Sequence, residues 1–190
     1  MSCGRFTYLR TIGHDLIERV VGKMAKAADN RISWDSKKKR SCSIHYSPHH
    51  TPDLTLLHAT SDKNHILIDI VGPSVVTQDH VQGASAVPLA AATAAEASKY
   101  AMYGNVGAHQ VLPFAVEDGG ALGHEAMKFF HKCKAACNNQ LSGLDSERQT
   151  WSAQGFSNFF FQSISVAHYR GLAHLFRTAG DTIRCHYQTD

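Results

Sequence analysis

Two apolar runs decide how this chain folds: Leu54-Thr55-Leu56-Leu57-His58-Ala59 and Ile66-Leu67-Ile68-Asp69-Ile70-Val71. Between them lie Thr60-Ser61-Asp62-Lys63-Asn64, a cluster of turn formers, and the whole reads as two short strands of a hairpin. Alternation along the second run puts Ile66, Ile68 and Ile70 on one face and Leu67, Asp69 and Val71 on the other. Asp69 therefore interrupts an apolar surface, where a carboxylate needs a partner. A second acid, Asp53, opens the first strand behind Thr51-Pro52, and further on Glu96-Ala97-Ser98-Lys99-Tyr100 sits in an alanine-rich segment.

Outward from the hairpin, the period changes to that of helices. Ile12, Leu16, Val20 and Met24, with Ile17 and Val21 beside them, form the apolar stripe of a first helix ending at Ala28. Leu89 to Tyr103 has high helix propensity, and Glu96, Lys99 and Tyr100 share one face at i, i+3 and i+4. Val111 to Val116 reads as another strand, at a sheet edge or with its start at Pro113. Helices are expected over His124–Cys137 and Trp151–Thr178, the latter closing at Gly180. Val75 to Pro88 and Asn138 to Gln149 read as loop and linker. The expected fold class is α/β, a small mixed sheet flanked by helices. The domain would span residues 12–178, with an extension at 1–11 and a tail at 179–190.

Composition bounds the function. With 190 residues, 43% hydrophobic and 18% charged, the chain has the make-up of one globular domain. A net charge of +3 permits nucleic-acid binding without demanding it. Five cysteines without C-x-x-C spacing suggest reduced thiols and an intracellular protein, and no apolar run is long enough for a membrane span. No Gly-x-Ser-x-Gly elbow supports a serine hydrolase. Cys133 and Cys137, near His131, fall on the apolar side of their helix and read as core rather than as soft metal ligands. Lys37-Lys38-Lys39-Arg40 reads as a solvated loop that can graze phosphate, and His49-His50 as a loop pair; Trp34 and Tyr46 are too sparse to form a stacking surface.

Two acids on paired strands with a lysine behind them are what hydrolysis of a phosphodiester requires: a cation held against the phosphate and an activated water. Magnesium takes one or two carboxylates and keeps most of its waters. Asp53 and Asp69 would be those carboxylates, Lys99 would hold the water or the developing charge, and Glu96 would orient Lys99 or serve as a third acid. The same spacing also suits an ordinary reading, in which Asp53 caps a turn, Asp69 faces solvent and Glu96 pairs with Lys99 on the surface.

Pro52-Asp53-Leu54, the acid in Leu67-Ile68-Asp69-Ile70-Val71 and the alanine-rich helix with Lys99-Tyr100 resemble the restriction-like PD-(D/E)xK endonuclease domain of site-specific non-LTR retrotransposon polyproteins. His14-Asp15 at the first helix, Leu112-Pro113-Phe114-Ala115-Val116-Glu117 before Gly119-Gly120, and Ser165 to Ala173 extend the likeness from about His14 to about Leu175. The resemblance implies a restriction-endonuclease-like three-layer core and a magnesium-dependent DNA endonuclease, with manganese able to substitute, that nicks target DNA to prime reverse transcription. By position, Asp53 and Asp69 match its two metal-binding acids and Lys99 its lysine. It further implies DNA and a reverse transcriptase polyprotein as partners, no membrane, and a nuclear location. Two positions depart from the pattern: Glu96 stands where a basic residue is common, and His49-His50-Thr51 precedes the aspartate instead of a basic residue. These departures leave open an inactive DNA- or protein-binding remnant of the same fold.

Overall fold

The structure is a computed structural model that describes residues 4–29, 33–36, 51–57, 65–77, 80–104, 107, 109–141 and 143–187; for residues 4–11, 33–36, 143, 144 and 181–187 it describes the backbone alone. Helix α1 (Gly4–Ala28) is followed by strands β1 (Ser33–Ser36), β2 (Leu54–Leu57) and β3 (Ile66–Val71). Then come a short helix α2 (Val81–Ala86), α3 (Ala90–Tyr103), β4 (Gln110–Ala115), α4 (His124–Ala136), α5 (Gly143–Glu147) and α6 (Gly155–Tyr187).

The four strands form one mixed sheet in the order β1-β2-β3-β4. β2 runs antiparallel to both β1 and β3, whereas β4 lies parallel to β3 with Asp69 opposite Pro113. A parallel neighbour needs a crossover, and α2 with α3 supplies it. β4 is an edge strand of this sheet, which tolerates the missing N–H of Pro113.

The alternation in β3 sorts the core into two faces. Ile68 and Ile70 join Leu54, Leu56, Leu112 and Phe114 in the large core under α1, α4 and α6. Leu67 turns the other way and meets Val111 and Tyr103 under α3. The large core is filled by aromatics from the helices: the Phe156 ring lies 4.8 Å from Phe160 and 6.1 Å from Phe130. Helix α3 is poorly anchored by comparison, since only Ala91, Ala92, Glu96 and Tyr103 are buried along it.

Several boundaries differ from the reading of the sequence, each for a local reason. Residues 4–11, read as an extension, are the first turns of α1, so His14 and Asp15 lie inside that helix and do not open it. Gly180 does not stop α6, which continues to Tyr187. Strand β1 carries no apolar alternation in Ser33-Trp34-Asp35-Ser36 and is defined by its pairing with β2. The short helices α2 and α5 fall in segments read as loop and linker. The turn at 60–64, the basic run at 37–40, His49-His50 and Tyr46 lie outside the described residues, as does the side chain of Trp34.

Helices α1 and α6 cross at Gly13 and Gly171. A Cβ built on Gly13 would come within 3.1 Å of the Gly171 Cα, and one built on Gly171 would run into the Gly13 Cα. Glycine in a helix ordinarily costs about 1 kcal/mol relative to alanine, so the residue pair is explained by contact between the two backbones. Gly171→Ala is therefore expected to destabilise the protein by about 1–3 kcal/mol in urea unfolding, the usual cost of overpacking, and Gly13→Ala by less. Stabilisation by Gly171→Ala would show that the helices separate freely at this point.

Candidate active site

Asp53 is held where β2 begins. Its backbone N–H donates to the Ile68 carbonyl (3.1 Å), and its Oδ2 accepts the Ile70 N–H (2.9 Å). The same oxygen lies 2.8 Å from His14 Nε2, which reaches across from α1. Pro52, also buried, presets the backbone before this acid. Asp69, on β3, faces α3. There Tyr103 donates its hydroxyl to Oδ2 (2.7 Å) and the Lys99 Nζ stands 3.0 Å from Oδ1. Lys99 and Tyr103 are four residues apart and thus on one side of their helix. The two carboxylates are within hydrogen-bonding reach of each other, both almost wholly buried.

Two acids packed together divide their protons unequally. Burial raises the Asp69 carboxyl above its ordinary range, and the neighbouring Asp53 charge and hydrogen bond raise it further; Tyr103 and Lys99 offset this only in part. Asp53 also feels burial, but the hydrogen bond and charge of His14, the bond with Asp69 and the Ile70 N–H outweigh it and hold its carboxyl below the ordinary range. His14 is correspondingly raised: burial opposes its protonation, and the bond to Asp53 with the charges of Asp53, Glu18 and Asp15 more than compensates. The site thus holds one acid made easier to ionise and one made harder, with His14 on one side and Lys99 on the other.

Such a pair suits a divalent cation, which lets both carboxylates ionise in place. A neighbouring group also has ligand geometry. His14, Asp15 and Glu18 each offer an atom, all within 4.8 Å of one another, and could hold a metal ion, though acidic groups arranged like this are common without one. His14 belongs to both groups, since its Nδ1 is 4.0 Å from Asp15 Oδ1 while its Nε2 serves Asp53.

Glu96 is elsewhere. Its Oε1 accepts the Glu125 N–H (3.0 Å) at the start of α4, where the N-cap residue Gly123 has no side chain to offer. Ala126 N–H also bonds to it. A carboxylate at that place satisfies amides that a helix start leaves open and meets the positive end of the helix dipole. A matching contact ties the next element: Glu117 Oε1, just after β4, accepts the Ala92 N–H (3.0 Å) near the start of α3. Glu96 and Lys99 share a helix but serve different neighbours. Tyr100, beside Lys99 in sequence, points with Glu96 toward Glu125, and burial with that acid's charge and hydrogen bond pushes its hydroxyl up to about 12. Cys133 is buried in the core, its thiol pushed up to about 12 by that burial.

Asp53, Asp69 and Lys99 are therefore brought together, and Glu96 is not. Reading the sequence missed Tyr103, although Lys99 and Tyr103 at i and i+4 carry the signal, and it missed His14 as a neighbour of Asp53, with Asp15 and Glu18 beside that histidine. Replacing Glu96 tests its capping role: Glu96→Ala is expected to cost about 1–2 kcal/mol of stability, and Glu96→Gln, which keeps an acceptor, less.

Comparison with models of protein families gave no match, and comparison with curated proteins gave no significant relative. The site is tested first through stability. Because the folded state holds the Asp69 proton more tightly than the unfolded state does, the stabilisation is complete below the ordinary value of 3.8 and is lost as pH rises through the folded value. Asp53 acts in the opposite sense, its contribution falling away as pH drops below 3.8 through its lowered value. Metal-free Asp69→Asn should consequently melt above the parent at neutral pH, with the difference closing as pH is lowered into the acid range. Magnesium at a hundredfold its dissociation constant should stabilise the parent by about 2.7 kcal/mol and leave the variant unmoved; equal responses would place the binding elsewhere.

Proposed function

We propose that this chain is a magnesium-dependent DNA endonuclease domain of the restriction-endonuclease-like fold, of the kind that nicks target DNA for a non-LTR retrotransposon. The observation that carries the reading is the buried contact of Asp53 with Asp69, with Lys99 Nζ 3.0 Å from Asp69. The mixed sheet with helices on both faces supports the fold, and the order of the acids and lysine along the chain supports the family.

In this reading Asp53 and Asp69 hold the cation. A bound magnesium ion would neutralise the scissile phosphate and make the attacking water more acidic. The residues of the chain do the rest. The Ile70 N–H and His14 fix the Asp53 carboxylate, so its position costs no reorganisation when substrate arrives. Tyr103 holds Asp69 from one side, leaving the Lys99 ammonium on the other to face the charge that develops on phosphate oxygen. Glu96 takes no part, because its carboxylate is committed to α4.

The alternative, an inert remnant that binds DNA or protein, predicts a dispersed set of acids; the convergence of Asp53, Asp69 and Lys99 favours an active site over it. The test is nicking of supercoiled plasmid with magnesium, with manganese and with chelator. Asp69→Ala and Asp53→Asn are expected to abolish cutting, and Lys99→Ala to slow it by about a hundredfold or more, all without loss of fold. Unchanged cutting by both aspartate variants would refute the assignment.

A further inference from the structure

The half of α6 beyond its crossing with α1 has no role in the site described so far. From Gly155 to Gly180 the helix contains no acidic residue, the first being Asp181, four residues beyond Arg177. From Leu172 to Gly180 none of its side chains is buried. Arg170, His174 and Arg177 are exposed and stand at i, i+4 and i+7, one stripe along the helix. Neither arginine makes an ion pair among the described residues. Tyr169 and Phe176, one heptad apart and about 100° round the helix from the stripe, are 53% and 69% exposed.

This surface starts at the site. Gly171 packs on Gly13, the residue before His14, and His14 bonds Asp53. Two residues back, Tyr169 donates to the Gly119 carbonyl (3.2 Å), and His168 Nε2 lies 3.0 Å from the Asp118 carbonyl. The bonds fix this turn of α6 against the loop after β4, and the stripe leads away from there. Arg170 to Arg177 spans about 10 Å of helix.

Resting on the reading of the site as a nuclease, we propose that the Arg170–Arg177 stretch of α6 is a track for a single DNA strand next to the cut. The phosphates lie along Arg170, His174 and Arg177, and an unstacked base rests on Phe176. Two arginines and a histidine in one stripe match a polyanion, and the exposed aromatics on the next flank of the helix match bases with free faces, which a duplex does not offer. The stripe reads no sequence, since phosphate contacts position a strand without identifying its bases.

The test is binding of the full chain, in chelator so that nothing is cut, to a labelled oligothymidine of about 20 nucleotides and to a duplex of equal length. Arg170→Glu with Arg177→Glu should weaken oligothymidine binding about tenfold or more and flatten its salt dependence by about 1.4 in log–log slope. Phe176→Ala should weaken oligothymidine about fivefold or more and leave the duplex unchanged. Lys132→Glu with Lys134→Glu on α4 is the control and should have little effect. Binding that survives the arginine variant, or falls equally with the control, would overturn the proposal. So would a phosphatidylserine vesicle that binds through the same arginines while oligothymidine does not, or a dimer that Phe176→Ala dissociates. Asp69→Ala should still bind oligothymidine; if it also nicks plasmid as fast as the parent, the assignment of Asp69 to the site fails while the binding result stands by itself.

Discussion

One carboxylate oxygen joins three elements of this molecule. Asp53 Oδ2 takes the Ile70 N–H from β3 and faces His14 Nε2 from α1, while the backbone of the same residue is tied to Ile68. A buried acid bears a large desolvation cost, and here backbone amide and imidazole together meet it. Its consequence runs outward: the start of β2 is fixed on β3, so Asp69 is set beside Asp53, and α1 must lie near enough for a histidine to reach. The glycines at the α1–α6 crossing then let the second long helix approach the first at the level of that histidine.

The resulting charge arrangement is unbalanced in a useful way. Against burial, the partners of Asp53 hold its carboxyl below the ordinary range, whereas burial and the Asp53 charge raise that of Asp69, with Tyr103 and Lys99 countering. An environment that pushes two like groups apart in acidity is typical of sites that handle cations or protons. It is costly for the empty protein, and the cost is concentrated in one residue of an otherwise apolar strand.

Much of this was legible in the sequence, because the signals were periodic. The alternation of β3 identified Asp69 as an acid facing the wrong kind of surface, and Pro113 announced an edge strand. What was illegible depended on distant partners. Ser33-Trp34-Asp35-Ser36 has no pattern of its own, and pairing alone makes it a strand. Glu96 sits one turn from Lys99, yet nothing local says that its carboxylate will meet the amides of a helix beginning at His124. Tyr100 drew notice by adjacency to Lys99, but helical geometry gives Asp69 to Tyr103 and turns Tyr100 toward Glu125. Three residues along one helix decide between those neighbours.

The way α3 is attached bears on how the molecule moves. Its alanines bury little surface, and its polar ties run to three places: Glu117 to its own first turn, Glu96 to the first turn of α4, and Lys99 with Tyr103 to Asp69 on β3. Held by these bonds more than by buried surface, the helix is a unit whose packing depends on them. Lys99 and Tyr103 ride on that unit, while Asp53 and Asp69 belong to the sheet. The contacts that set the cation beside the acid are thus also contacts that hold this helix on the sheet, and losing either loosens the other.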